Sequence, residues 1–297
     1  MKIIIAGGSG LVGQALAERL SKRGDDVVIL TRDPAAVRTG RGIAWGGSDH
    51  EWKAEIHDAS AVVNLAGSGI AEKRWTERRK QELRESRVRT TRALADAMID
   101  APNADRAFVS ASAVGYYGAR GDEELDETSR PDESFLSKLS VEWESEALRA
   151  SDASRVVVLR IGIVLSTRGG ALAKMLPPFR FGAGGRLGSG TQWMSWIHLD
   201  DLVAMIEWSI ATPSARGAYN ATAPAPVTNA EFTRSLGRAL TRPAIVAVPA
   251  FALRALLGEM AGPLLLTGQK VLPGRALGAG FRFQHPALDE ALTSLLR

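Results

Sequence analysis

No cysteine occurs among the 297 residues. That absence excludes a disulfide scaffold, a thiolate nucleophile and a cysteine-ligated zinc or iron–sulfur centre. It also fits a reducing compartment, so a cytoplasmic location is expected. No apolar run approaches the roughly 18 residues of a spanning helix. Only four apolar residues separate Met1-Lys2 from the first glycines, too few for a secretory leader. Neither a membrane nor a metal is therefore expected, since His, Asp and Glu show no ligand spacing. Charge of one sign is not in large excess either, at a net +4. The basic stretch Arg74 to Arg92 is broken by Glu77, Glu82 and Glu85, which reads as a solvated helix face with i,i+4 pairs rather than a nucleic-acid surface. Tyrosine is scarce, with three in all, and two of them, Tyr116 and Tyr117, are adjacent.

The N-terminus, by contrast, is rich in signal. Ile3-Ile4-Ile5-Ala6 reads as a buried parallel strand, and Gly7, Gly10 and Gly13 follow at intervals of three. Glycine permits the tight turn and the close approach of backbone to a phosphate. Leu11, Val12, Ala15, Leu16 and Leu20 share one face of the helix that begins there. Its free N–H groups, with those of Ser9, Leu11 and Val12 in the turn, point at a dinucleotide pyrophosphate. The next strand, Val27 to Leu30, ends at Thr31-Arg32. An NAD site usually carries an acid at this strand end for the ribose 2′-hydroxyl, whereas a guanidinium suits a 2′-phosphate. NADP(H) is therefore preferred. NAD(H) stays open because Asp33 adjoins.

Strand-like runs recur at Ile43-Ala44-Trp45, at Ala61 to Gly67, at Ala107 to Ser112 and at Arg155 to Ile161. Helical patterns at 75–100 and 134–150 alternate with them. The expectation is an α/β fold with a doubly wound parallel Rossmann sheet and a smaller C-terminal α+β substrate domain. The first domain is placed at 1–165 and the second at 166–297, with 196–222 folding back onto the core. The crevice between them, at the carboxyl edge of the sheet, is the default site.

Gly7-x-x-Gly10-x-x-Gly13, Asn64-Leu65-Ala66-Gly67, the run from Ser110 to Gly118, and Leu159-Arg160-Ile161-Gly162 resemble the extended short-chain dehydrogenase/reductase superfamily, its NAD-dependent epimerase/dehydratase group. Arg74-Trp75, Ser86-Arg87-Val88, Tyr116-Tyr117-Gly118, Met194 to His198, Asp200-Asp201 and Tyr219 to Pro224 resemble the 39U branch of that group. The tail from Pro249 through Gly268-Gln269 to Phe283 resembles that branch's C-terminal domain of unknown function. The resemblance spans nearly the whole chain.

It implies that Asn64, Leu65, Ala66 and Gly67 line the cofactor's ribose and nicotinamide, and that Ser112 binds the substrate oxygen. Superfamily members carry Tyr-x-x-x-Lys on the following helix. Here Lys138 falls in register for the ribose, but Ser134 stands where the tyrosine should be. A serine hydroxyl is a far poorer acid than a phenol near a cation. Tyr116 and Tyr117 are the substitutes for that proton donor. Arg160 is placed among the cofactor contacts. Together with Arg180, Arg186, Gln192 and Trp193 it is also a candidate for an anionic or sugar-like ligand. His198 reads as structural. The reading is an oxidoreductase or epimerase-like protein, monomer or homodimer, acting on a small carbonyl or sugar-like alcohol. The alternative is a non-catalytic NADP(H)-binding sensor or partner-binding module, to which the missing tyrosine points.

Overall fold

The computed structural model describes residues 1–45 and 51–296. The Gly-rich stretch at 46–50 and Arg297 lie outside them. The first half alternates strand and helix: β1 (Lys2–Ala6), α1 (Leu11–Lys22), β2 (Asp26–Thr31), β3 (Arg41–Ala44), α2 (Glu51–His57), β4 (Ala61–Asn64), α3 (Glu77–Asp100) and β5 (Ala107–Ala113). A 3₁₀ turn at Val114–Tyr117 leads into β6 (Glu124–Leu125), α4 (Phe135–Leu148), β7 (Arg155–Ile161), β8 (Ile163–Leu165) and α5 (Gly170–Arg180). Then come β9 (Trp193–Met194), β10 (Trp196–His198), α6 (Leu199–Ala211) and β11 (Gly217–Ala221). The tail holds β12 (Val227–Thr228), α7 (Asn229–Leu240), α8 (Ala250–Leu257), β13 (Lys270–Val271), α9 (Gly274–Gly278) and α10 (Leu288–Leu296). None of the described helices is long and apolar enough to cross a membrane.

Seven parallel strands form the central sheet in the order β11-β7-β5-β4-β1-β2-β3. The order reverses between β1 and β4, and α/β sheets open their ligand crevice at such a switch point. Ile3, Ile5, Val63 and Val109 pack on one face with α1 and α6. Ile4, Val62, Phe108 and Val158 pack on the other with α2, α3 and α4. Burial on both faces is why these strands are continuous apolar runs rather than alternating ones. β11 and α6 belong to this sheet and its core although they follow residue 166 in the chain. A separate cluster from α5, α7, α10, Trp196 and Phe232 forms the core of the smaller unit.

The motifs after β7 lock the two units together. A Cβ at Gly162 would lie 2.4 Å from the Ser195 carbonyl oxygen, and one at Gly268 would lie 1.9 Å from that of Trp193. Ser195 Oγ donates to the Gln269 carbonyl at 2.7 Å and accepts from the Val271 amide at 2.9 Å. Asp201 accepts from the amides of Gln284 and His285 at 2.7 and 3.0 Å. His198 is the N-cap of α6, its Nδ1 accepting from the Asp200 amide at 3.0 Å. The ring stacks on His285 with centroids 3.9 Å apart.

Burial, and then the neighbouring His285, hold the His198 pKa below the usual 6.5, against the opposing charges of Asp200 and Asp201. Above pH 6.5 the native and unfolded forms are both neutral, and this contribution to stability is complete. Below it the unfolded chain takes a proton that the native ring refuses, so stability falls as pH falls toward the native pKa. Denaturant unfolding at pH 7.5 and 5.5 is expected to show this loss. His198→Asn keeps an acceptor at the cap and is expected to show a smaller one. An equal loss in the variant would assign the pH dependence to other groups.

Candidate functional site

The glycine turn is built as a cradle. Gly7 has φ of +81°, and a Cβ there would lie 2.7 Å from the Leu65 carbonyl carbon and oxygen. The end of β4 thus closes directly on the turn. A Cβ at Gly13 would lie 2.5 Å from Gly7 O and 2.6 Å from Gly8 Cα. α1 starts at Gly10 with no side-chain cap and no acid in its first turn. Its leading N–H groups, those of Leu11, Val12 and Gly13, therefore remain for an anion. Ser9 is exposed, and Leu11 packs toward Gly169-Gly170 across the crevice. At the end of β2, Thr31 Oγ1 accepts from the Asp33 amide at 3.2 Å. That small turn leaves Arg32 exposed beside the crevice edge.

Beyond the switch point several of the expected site residues bond to one another. Asn64 is fully buried and faces α3, its Nδ2 donating to Thr91 Oγ1 at 2.7 Å and Ser110 Oγ at 3.3 Å. It supports the strand end from behind instead of lining the ribose pocket. The backbone of Leu65, with Ala66 and Gly67, carries that edge.

Ser112 is 3% exposed and donates to Glu144 Oε1 at 2.6 Å. Glu144 holds Arg160 through two bonds of 2.9 Å, to Nε and Nη2. Arg160 Nη1 donates to the Tyr117 hydroxyl at 3.0 Å, and that hydroxyl donates to Asn220 Oδ1 at 2.7 Å. Burial pushes the Tyr117 phenol up to about 12 despite Arg160 beside it. For Arg160, burial acts downward, but the hydrogen bonds and charge of Glu144 outweigh it and leave the pKa raised. Ser112, Tyr117 and Arg160, expected at substrate and cofactor, are thus committed to one interior network. The signal was present in the sequence, since Arg160 is a charge directly after the apolar run 156–159 of β7, and such a charge requires a partner. Glu144 was the residue missed.

Tyr116 is different. It is half-buried, its ring lies 3.5 Å from Arg160 Cζ, and its backbone carbonyl accepts from Ser137 Oγ at 2.6 Å. No hydrogen bond engages its hydroxyl among the described residues. Ser134 caps α4 and donates to Asp132 at 2.6 Å. Lys138 lies on the outer face of α4, 65% exposed and paired with Glu133 at 3.1 Å. One helical turn from the cap, it points with the exposed positions rather than with Leu139 and Trp143, which pack inward. Of the loop candidates, Gln192 Nε2 donates to the carbonyls of Leu187 and Leu265, and Trp193 Nε1 donates to Asp122. Both clamp loops. Arg180 and Arg186 are exposed.

The edge of β4 carries a further group that the sequence reading did not single out. Ile70 and Trp75 of the 67–75 loop pack with Leu83, Phe135, Leu136 and the tail residues Leu257, Met260 and Leu264 in one apolar cluster. Arg79 and Arg87 of α3 hold that loop through the carbonyls of Gly69 and Ser68. A cavity of about 450 Å³ lies away from this crevice, between α1, α6 and α10, and His198, Asp200 and His285 reach it. Their donor atoms lie within 4.8 Å of one another. Both nitrogens of His198 are already engaged, by the Asp200 amide and by Ser294 Oγ at 3.3 Å.

Residues 3–222 match the model of the NAD dependent epimerase/dehydratase family, and residues 248–295 match a domain of unknown function, DUF1731. An epimerase family protein of Mycobacterium bovis is 44% identical over 98% of this chain and 96% of its own length. The human epimerase family protein SDR39U1 is 38% identical over the full length of both. A crystal structure of that human protein with NADPH superposes with a TM-score of 0.92 at 37% identity, covering 100% of this chain and 99% of the other.

Proposed function

We propose that this chain, which belongs to the NAD dependent epimerase/dehydratase family, binds NADP(H) in the crevice over Gly7–Gly13 and exchanges hydride with a carbonyl or alcohol carbon of a small substrate. The observation that carries the cofactor is the glycine cradle with Arg32 beside it. Side chains at Gly7 or Gly13 would fill the cradle, the helix N-terminus is uncapped, and the strand-end position suits a 2′-phosphate. The relative of known structure, 37% identical, was crystallised with NADPH, which supports the same choice. The bound nicotinamide supplies or accepts the hydride. The chain's part is to orient it and to move the accompanying proton.

Tyr116 is the group suited to the proton. Its phenol is the one in this loop not consumed by the interior network, and the Arg160 guanidinium under its ring fixes its position. Ser112 and Arg160 then act through Tyr116 and the loop, not on the substrate. The second reading is a protein that binds NADP(H) without turnover. It is favoured by Ser134, which serves as a helix cap tied to Asp132.

Two variants test both readings. Fluorescence titration is expected to show tighter binding of NADPH than NADH. Arg32→Ala should weaken NADPH by about 10- to 100-fold, the worth of a charge-assisted bond, and leave NADH unchanged. Equal affinities in the wild type would overturn the NADP(H) assignment. Against a panel of carbonyls, Tyr116→Phe should cut NADPH oxidation by 10²-fold or more at unchanged cofactor affinity. An unaltered rate would remove Tyr116 from the chemistry, and no oxidation with any carbonyl would leave the binding reading.

A further inference from the structure

Five arginines, Arg79, Arg87, Arg106, Arg155 and Arg160, have their guanidinium groups wholly or half withdrawn into the protein, and four are compensated, Arg79 by Glu82 and Glu72. Arg160 has Glu144. Arg155 donates to the carbonyls of Ser209 and Ile210 at the C-terminal end of α6 and to that of Ala215 in the loop beyond it. Arg106 donates to Ile56 and Ala101 at the ends of α2 and α3. In these last two the negative end of a helix dipole faces the cation.

Arg87 has neither kind of compensation. It lies midway along the 24-residue α3. Its Nη1 donates to the Leu83 carbonyl at 3.1 Å and its Nη2 to the Ser68 carbonyl at 2.9 Å. Its Cζ lies 5.3 Å from the centre of the Trp143 ring. No carboxylate pairs with it among the described residues, and its Nε has no acceptor there. Burial, and then the like charge of Arg79, draw its pKa down to about 10. A guanidinium nevertheless stays charged at neutral pH, and a half-buried charge without a counter-ion is costly in proportion to the water it has lost.

The position of this charge gives it meaning. A Cβ on Gly67 would lie 3.1 Å from Arg87 Cζ and 3.4 Å from its Nε. The free edge of the guanidinium therefore lies over the backbone just beyond β4, on the crevice side of the switch point. Arg79, 6% exposed and with its own Nε unpartnered, stands behind the same loop. Ile70 and Trp75 of the same loop pack with the tail residues Leu257, Met260 and Leu264.

We propose that Arg87 is the seat of an oxyanion on the substrate, so that the substrate of this site carries a carboxylate or a phosphate ester. The inference rests on the cofactor reading above for which ligand lies beside it. The planar fork of donors matches both anions, and an anion there would supply the charge that the fold withholds. Arg87 is then a binding residue, and glycine at position 67 keeps the guanidinium edge uncovered.

The test is thermal unfolding in inorganic phosphate against sodium chloride of equal ionic strength, with and without saturating NADPH. In 10 mM phosphate the wild type is expected to unfold about 3 °C higher than in chloride, with NADPH bound as well as without it. Arg87→Gln should lose that shift, read against its own unfolding temperature in chloride, because the variant also gives up the bonds to Leu83 and Ser68. Arg238→Gln, the same charge change at a remote surface pair with Asp289, should keep the shift. A parallel series in acetate separates a carboxylate site from a phosphate site. An equal anion response in wild type and Arg87→Gln overturns the proposal, as does no response of the wild type to phosphate or to acetate. It also fails if saturating NADPH abolishes the response while Arg87→Gln weakens NADPH itself, because the anion is then the cofactor's own. Failure of NADPH to bind, read by its fluorescence, sinks the cofactor reading alone. The comparison of Arg87→Gln with wild type in phosphate still decides the oxyanion.

Discussion

Gly13→Ala is expected to abolish measurable NADPH binding, with an affinity loss beyond 100-fold, and to lower the unfolding temperature by several degrees. The added Cβ would lie 2.5 Å from Gly7 O and 2.6 Å from Gly8 Cα. Both are backbone atoms, so no side chain can rotate out of the way. The first turn of α1 must instead move off the glycine turn, at an overpacking cost of about 1–3 kcal/mol. That movement carries the free N–H groups away from where a pyrophosphate lies. Gly10→Ala separates the two consequences. Its Cβ meets only Gly7 O, at 3.4 Å, an approach the backbone tolerates. It is expected to leave the unfolding temperature within about a degree of the wild type and still to weaken NADPH, because the methyl group occupies the space of the phosphate. Wild-type affinity in Gly10→Ala would show that the dinucleotide does not lie on this turn.

The glycine turn was legible because its constraints are local. Three β-branched residues, a positive φ at Gly7 and a helix start lie within 11 residues of one another, and period and chemistry suffice to read them. The parallel sheet was legible for a similar reason, as strands buried on both faces spell themselves as apolar runs. What escaped is what depends on which atoms meet across the fold. Ser112, Tyr117 and Arg160 stand at the sheet's carboxyl edge, where site residues are expected. Sequence spacing does not say that Glu144, on the inward face of α4 with Trp143 and Ala147, reaches both Ser112 and Arg160. Lys138 shows the converse. It has the spacing of a ribose-binding lysine, yet Ser134 is only the N-cap of α4 and Lys138, exposed, pairs with Glu133. Arg87 was quoted as part of a motif, but only the fold shows that its guanidinium meets carbonyls and no carboxylate among the described residues.

Glu144→Ala is expected to be the most destabilising single change in the interior network, at about 3–5 kcal/mol, because it leaves Arg160 buried and unpaired. The two side chains are 6% and 8% exposed and share two bonds of 2.9 Å, so solvent does little to replace what is lost. Ser112 loses its acceptor at the same time. At about 2–4 °C per kcal/mol for a chain of this size, the unfolding temperature should drop by roughly 10 °C. Glu144→Leu combined with Arg160→Met removes both charges and should recover most of that loss, since well-packed apolar replacements of a buried pair are close to neutral. A cost in Glu144→Ala no greater than that of the exposed Glu290→Ala would contradict this account. The loss should also spread in a defined direction. Arg160 reaches Tyr117, Tyr117 reaches Asn220, and Asn220 Nδ2 donates to the Leu272 carbonyl at 2.9 Å. β13 and the turn bearing Tyr116 therefore hang on the same ion pair through three side chains. Hydrogen exchange in Glu144→Ala should rise first at residues 114–118 and 270–273, while the amides of β1 and α1 keep their protection. If the network positions Tyr116 over the crevice, the double variant should regain stability without regaining full NADPH oxidation. That split separates holding the fold together from holding the phenol in place.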